Sequence, residues 1–308
     1  MKRYITIDGG TTNTRLCLIV DGKIADTLKT KSEGDDSVYK AELKKKTAEL
    51  LRRNSLSESD IVCILATGTM ATAEIGLCPL EHLTLPVNIE RLKRESYETR
   101  IPEISDIPFV FVRGVKTSAE SLDNADMMRG EESEIMGILT EADGPSVYML
   151  MGSHTKMVKT DGKGYIVDIC TMLTGELIAA VSSNTILKHT LNLKAGSLDR
   201  EYLVRGYDYC RERSINEAFF KVRILKNIFG ESDARVYSFF LGAVLHAEVK
   251  HLIDSKTRRV VIGGNEHLKE AVAALVSECT DIETVLLSAE DVDASVSIGL
   301  VKIFEYGN

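Results

Sequence analysis

The sequence has no tryptophan and only five prolines in 308 residues, four of them between positions 79 and 108. Outside that window the chain is almost free of the residue that most often breaks regular structure. No GxxxxGK[ST] run occurs, which excludes a P-loop enzyme, and no GxGxxG occurs, which leaves a dinucleotide-binding fold unsupported. The six cysteines (Cys17, Cys63, Cys78, Cys170, Cys210, Cys279) are scattered without a CxxC pair. Cys17, Cys63 and Cys170 lie in apolar, strand-like runs, so buried free thiols are expected rather than disulfides or zinc. No apolar run approaches the roughly 18 residues of a membrane span. Met1-Lys2-Arg3-Tyr4 leads straight into a strand, with no apolar signal-peptide region. The expectation is a cytoplasmic protein with no membrane contact. Basic residues are not in excess either: 38 Lys and Arg stand against 46 Asp and Glu, for a net charge of −8. That argues against a nucleic-acid partner, which usually needs a basic face. It does not exclude ATP, for which a few local Lys, Arg and backbone N–H groups suffice.

What the chain does have is length enough for two domains with real cores, and an internal echo. Residues 4–7, 16–20 and 23–27 read as an antiparallel meander, with Asp21-Gly22 as a tight turn. Residues 146–151, 155–159 and 164–170 repeat it, with Asp161-Gly162 as the turn. Each meander is followed by α/β material. After the first come an amphipathic helix at 36–53, a buried-type strand at 60–66 and a strand at 109–112. The proline-bearing window 79–108 reads as loop with short elements. A central helix at about 131–141, stopped by Asp143-Gly144-Pro145, joins the halves. After the second meander, helices are expected at 174–189, beyond Gly196-Ser197, beyond the capping box Ser214-Ile215-Asn216-Glu217, and at 231–253. The last carries an apolar stripe of Val236, Phe239, Phe240, Ala243, Val244, Ala247 and Leu252. A strand at 259–262, a helix at 265–279, a strand at 283–287 and a helix at 293–305 complete the chain.

Both meanders turn through polar loops that suit phosphate. Asp8-Gly9-Gly10-Thr11-Thr12-Asn13-Thr14-Arg15 follows a strand. Phosphates need backbone N–H groups that approach closely, which glycine allows. Threonine hydroxyls add donors, and Asp8 can hold Mg²⁺ through water. Read alone, the same residues make an ordinary polar hairpin. Gly152-Ser153-His154-Thr155-Lys156 repeats the argument, with Lys156 as a phosphate partner; a lone loop histidine is more often merely solvated. Ile262-Gly263-Gly264-Asn265 can accept an adenine or ribose face, or be a plain β–α turn. Arg129, Glu131 and Glu132 stand at a helix start, where the helix dipole alone favours acids. Successive helical residues point about 100° apart, so one glutamate can serve a cleft while the other pairs with structure. Arg129 offers a fork that matches a carboxylate. Thr69 in the loop Thr67-Gly68-Thr69-Met70, and Thr174 and Glu176 after a strand, offer small polar contacts. The Met127, Met128 and Met136 group reads as core packing.

Taken together, Met128-Arg129-Gly130-Glu131-Glu132, Gly152-Ser153-His154-Thr155-Lys156 and Met172-Leu173-Thr174-Gly175-Glu176-Leu177 resemble the 2-dehydro-3-deoxygalactonokinase family, in order and spacing. The helix Leu241-Gly242-Ala243-Val244-Leu245-His246-Ala247-Glu248-Val249 is also similar. The chain departs from that family where tryptophans are usual: Gly9 follows Asp8, Met157 follows Lys156, and Leu77 follows Gly76. The resemblance implies an α/β, two-domain, ribonuclease H-like fold of the actin/hexokinase type. Each domain would have a mixed five-stranded sheet flanked by helices, with domains at 1–125 (sugar-acid side) and 126–308 (adenosine side). The last helix would return towards the first. It implies an ATP- and Mg²⁺-dependent kinase for the C6 hydroxyl of 2-dehydro-3-deoxy-D-galactonate in galactonate catabolism, with a homodimer left open.

On that basis ATP is expected in the cleft between the halves. Its cofactor-binding residues are Asp8, Gly9, Gly10, Thr11, Thr12, Asn13 and Arg15, then Gly152, Ser153, His154, Thr155 and Lys156, with Gly263 and Gly264 at the adenosine. Asp8 is the metal residue. Arg129, Thr69, Thr174 and Glu176 contact the acceptor, and Glu131 is the favoured base, with Asp126 as its rival. Phosphoryl transfer is then mainly positioning and charge neutralisation. A kinase for another sugar or ketodeoxy acid, a non-catalytic ATP sensor on the same fold, and an acyl or acetate kinase needing no general base remain the alternatives.

Overall fold

The computed structural model describes residues 1–10, 13–32, 36–71, 77–118, 120–140, 144–194 and 196–307. By its contacts the chain forms two compact units. One comprises Met1–Gly144, Val158–Ile169 and Glu290–Asn308, the other Pro145–Met157 and Cys170–Ala289.

The first unit opens with the expected meander, β1 (Arg3–Gly9), β2 (Asn13–Val20) and β3 (Lys23–Lys31), paired antiparallel in register Ile7↔Leu16 and Leu16↔Leu28. Helix α1 (Asp36–Arg53) buries Tyr39, Leu43, Leu50 and Leu51. Strand β4 (Ile64–Gly68) then runs parallel to β1 with Gly9 opposite Gly68. The proline-bearing window is more regular than its sequence suggests: it holds β5 (Leu83–Thr84), α2 (Ile89–Arg94), β6 (Tyr97–Ile101) and most of β7 (Ser105–Phe111). The sheet order is β3-β2-β1-β4-β7-β6, six strands where five were expected. The addition is β6, an edge strand that buries only Ile101 and so shows no apolar run. Strands β8 (Val115–Lys116) and β9 (Met127–Met128) form a small sheet with β5. Met128 is buried, but Met127 is exposed rather than part of the core. Helix α3 spans Glu131–Ile138, three residues shorter than expected at its end. Ile5, Ile7, Leu16, Leu43, Phe109 and Phe111 are among the residues of the core.

Strands β10 (Ser146–Met151), β11 (Thr155–Thr160) and β12 (Ile166–Met172) repeat the meander, although the stretch Val158–Ile169 groups with the first unit, and α4 (Thr174–Asn184) follows. Helices α5 (Arg200–Glu212), α6 (Ile215–Asn227) and α7 (Asp233–Asp254) precede β13 (Arg259–Gly264), α8 (Glu266–Cys279) and β14 (Glu283–Leu286). The order β12-β11-β10-β13-β14 matches β3-β2-β1-β4-β7, with β13 parallel to both neighbours. The echo in the sequence is thus an echo of topology. Ser214 caps α6 by accepting the Glu217 N–H at 3.2 Å. The α7 stripe packs with Met149 and Ile262 of the sheet, except Ala247, which is exposed, and the helix buries Glu248 as well.

The closing helix, α9 (Ala289–Glu305), groups with the first unit from Glu290 onward. Thr6 and Ser297 share a buried hydroxyl pair at 2.7 Å, and the Tyr4 hydroxyl donates to Glu305 at 2.7 Å. A Cβ on Gly137 would strike the backbone of Ser295, so α3 and α9 touch backbone to backbone. The contacts group 126–144 with the first unit; the sequence alone drew a boundary at 125/126.

Candidate active site

In the first unit, three backbone segments converge at the end of β1. Asp8 lies opposite Arg15 on β2 and Thr67 on β4. Gly130, the residue before α3, adopts φ +112°, which a side chain would resist. A Cβ there would lie 3.6 Å from the Gly68 Cα and 4.0 Å from an Asp8 carboxylate oxygen. The start of α3 therefore sits on the strand ends beside Asp8. The hairpin loop is closed by the Gly10 N–H, which donates to the Asn13 carbonyl at 3.0 Å. Thr69 donates its hydroxyl to the Gly9 carbonyl at 3.0 Å, so it braces this loop. Thr11 and Thr12 lie outside the described residues.

The two glutamates that open α3 part company. Glu131 accepts the Arg129 N–H at 3.0 Å and remains partly exposed. Glu132 is 0% exposed. It accepts the Gly130 N–H at 2.8 Å, the Thr67 hydroxyl at 3.0 Å and the Ser133 hydroxyl at 3.2 Å. Burial, and then the charge of Glu131, push its carboxyl up to about 7. Glu134 is pushed up to about 8 by burial and by the like charges of Glu131 and Asp8. Asp8 is itself raised, by burial first and by Glu131, against the opposing pull of Arg15. Four carboxyl groups thus share one neighbourhood. Sequence reasoning singled out Asp8 and Glu131 and missed Glu134. The signal was present, because positions three apart share a helix face.

Arg129 donates one Nη2 bond of 2.8 Å to the Leu80 carbonyl and approaches His82 Nδ1 at 3.3 Å. Its Nη1 is buried and has no partner among the described residues. Burial also lowers the guanidinium's proton affinity, while Glu132 supports its charge. Asp126 accepts the Met127 N–H at 2.7 Å beside β8. Arg15 is engaged by α9: its Nη1 donates to the Asp293 carbonyl at 2.6 Å and its Nη2 to the Asp293 carboxylate at 2.8 Å.

In the second unit the loop 152–156 is held from two sides. On one side the Asn265 N–H donates to the Met151 carbonyl at 2.8 Å, where β13 ends in Gly263 and Gly264. On the other, a Cβ on Gly175 would lie 2.9 Å from the Ser153 Cα, and the Glu176 N–H donates to the Ser153 carbonyl at 3.0 Å. His154 Nε2 lies 3.1 Å from Glu176 Oε1, and Lys156 donates to the Thr171 hydroxyl at 2.8 Å. Thr155 and Thr174 are both buried, with their hydroxyls bonded to each other at 2.7 Å. As positioned, they support the loop from behind. Near the first turn of α8, Leu193, Lys194, Gly196, Ser197, Leu198, Tyr237 and His267 line a pocket of about 230 Å³.

The fold has solved counterparts. A protein from Sinorhizobium meliloti assigned as a 2-dehydro-3-deoxygalactonokinase superposes with TM-score 0.78 at 21% identity, covering 97% of each chain. Component A of (R)-2-hydroxyglutaryl-CoA dehydratase from Acidaminococcus fermentans gives TM-score 0.56 at 13% identity, covering 98% of this chain and 97% of that one. The activator of 2-hydroxyisocaproyl-CoA dehydratase from Clostridium difficile, solved with bound ADPNP, gives 0.50 at 12% identity, covering 98% and 95%. The comparison with curated proteins gives no match.

Fold and topology are those of the actin/hexokinase-type ATPases. The family model for 2-keto-3-deoxy-galactonokinase matches residues 8–303, and the chain belongs to that family. It is a sugar kinase, a phosphotransferase with an alcohol group as acceptor. No helix among the described residues is long and apolar enough to cross a membrane.

Proposed function

We propose that the protein transfers the γ-phosphoryl group of ATP to the C6 hydroxyl of 2-dehydro-3-deoxy-D-galactonate. The observation that carries this reading is the turn Arg129-Gly130-Glu131. It presents a guanidinium with a buried, unspent N–H two residues from a partly exposed carboxylate. A sugar acid supplies the counterpart of each: a carboxylate for Arg129 and a hydroxyl for Glu131. Glu131 accepts or orients the hydroxyl proton, and its bond from the Arg129 N–H fixes its direction. Asp126, bonded to its neighbour's N–H, is the less favoured base.

For the nucleotide, the loop 152–156 suits phosphate oxygens, and the turn that follows Asp8 is assigned the same role within its own unit. The Gly263-Gly264 turn and the pocket beside His267 and Tyr237 suit adenosine. The residues present also fit Mg²⁺. Among the described residues no three His, Cys, Asp or Glu side chains gather to hold a metal, so the cation would be carried largely by phosphates and water on Asp8. Its charge would offset the burial and repulsion that raise Asp8. When bound, it would neutralise charge on the transferred group.

The test is to identify the product. Incubation with ATP, Mg²⁺ and the acceptor, followed by phosphorus–proton correlation NMR, should show phosphate coupled to the C6 protons. Coupling to another position would refute the assigned hydroxyl.

A further inference from the structure

A buried polar chain in the second unit ends at a residue outside the proposed active site. Glu248, in the middle of α7, is 1% exposed. Its Oε1 accepts the Thr174 hydroxyl, and Thr174 in turn accepts the Thr155 hydroxyl at 2.7 Å. Thr155 is the first residue of β11 and Thr174 the first of α4. These two positions frame the loop 152–154, whose Gly152 and Ser153 lie directly against Gly175 and Glu176. Each hydroxyl has one proton to give: that of Thr155 reaches Thr174 and, at 3.7 Å, the Met151 sulfur, while that of Thr174 needs an acceptor at the end of the chain. Glu248 is that acceptor.

We propose that Glu248 is a positioning residue for the nucleotide-phosphate loop, acting through Thr174 and Thr155 as a hydrogen-bond acceptor rather than as a charge. This rests on the reading of 152–156 as a phosphate loop. Two features favour the uncharged role. Glu248 Oε2 is buried with no partner among the described residues, a costly state for an ionised carboxylate. Among the described residues no lysine or arginine lines the cavity of about 490 Å³ beside it, which Leu173, Leu177, Ile215, Val244 and Ala247 make largely apolar. Burial accordingly raises the Glu248 carboxyl above its ordinary range. A neutral acid keeps Oε1 as the acceptor for Thr174, and a glutamine would do the same.

The experiment compares Glu248→Gln with Glu248→Leu by steady-state kinetics and by nucleotide binding in the absence of acceptor. Gln should keep the KM and Kd for ATP within about twofold, because it preserves the acceptor. Leu leaves the buried Thr174 hydroxyl without its acceptor and should raise both about tenfold, with the acceptor KM unchanged and kcat altered less than KM. If Leu does not fold, Thr174→Val breaks the same chain and should give the same split. The pH profiles of ATP affinity for wild type and Glu248→Gln should superimpose. A Gln variant as impaired as Leu would overturn the neutral-acceptor role. A Leu or Val variant with wild-type ATP affinity would overturn the positioning role. Absence of acceptor phosphorylation by the wild type, with these nucleotide-binding differences intact, would instead defeat the substrate reading.

Discussion

Gly68 and Gly9 meet at the adjacent ends of β4 and β1 with no space for a side chain between them. A Cβ on Gly68 would collide with the Gly9 carbonyl oxygen and stand 2.9 Å from its carbonyl carbon, and Gly68 adopts φ +78°. On the other side of Gly68 sits Gly130, at the start of α3. Asp8 and Glu131 are brought together by these backbone contacts rather than by side-chain packing.

Gly68→Ala should therefore be costly even though it adds one methyl group. Left-handed backbone and a clash with backbone atoms together should lower stability by about 2–3 kcal/mol. Urea denaturation read by circular dichroism would measure it. A midpoint equal to wild type would show that the strand ends can separate freely.

The buried acids predict an unusual pH dependence. Glu132 is raised in the folded state to about 7. An unfolded glutamate titrates near 4.3. Between those values the folded protein holds a proton that the unfolded chain has released, so stability falls as pH rises through this window. Below about 4.3 the term is constant. Glu132→Gln can turn its oxygen to the Gly130 N–H and its amide to the Thr67 and Ser133 hydroxyls. It should flatten the slope, removing a stability loss on the order of 3 kcal/mol between pH 5 and about 7. An unchanged slope would remove Glu132 as its source.

Much of this arrangement was legible before the structure. The repeated meander marked three strands in each of the two larger sheets, because alternating strands and tight Asp-Gly turns specify pairing locally. Glycine spacing likewise marked the loops at 8–13 and 152–156. What could not be read was which polar groups are wholly or partly withdrawn from water. Glu132 and Glu134 look like ordinary helix-start acids, and Glu248 interrupts an apolar stripe. Their meaning depends on partners such as Thr67, Ser295 and Thr174, which lie far away in sequence. Arg15 reads as a phosphate donor from its place in the loop, yet α9 brings Asp293 to it. Edge strand β6 escaped for the converse reason, since it buries almost nothing.

Arg129→Lys should separate acceptor recognition from nucleotide binding. Lysine keeps a charge but not the fork. We expect the KM for the sugar acid to rise about tenfold or more while the KM for ATP stays within about twofold. Equal changes in both would mean that Arg129 acts through the fold, by way of its bond to the Leu80 carbonyl.

Glu131→Gln keeps the shape and an acceptor for the Arg129 N–H but removes the base. The expected loss is about 10²- to 10⁴-fold in kcat, with substrate affinities little changed. Rapid-quench measurement of the transfer step would show whether the loss lies in chemistry. Unchanged turnover would move the role to Asp126 or to none.

The most direct measurement is coupled ADP release with ATP, Mg²⁺ and a panel of acceptors: 2-dehydro-3-deoxy-D-galactonate, its gluconate epimer, and neutral hexoses. The account predicts turnover with the galactonate derivative, weaker turnover with the epimer, and none above background with the neutral sugars. Turnover that favours neutral sugars, or none with any sugar acid while ATP still binds, would contradict it.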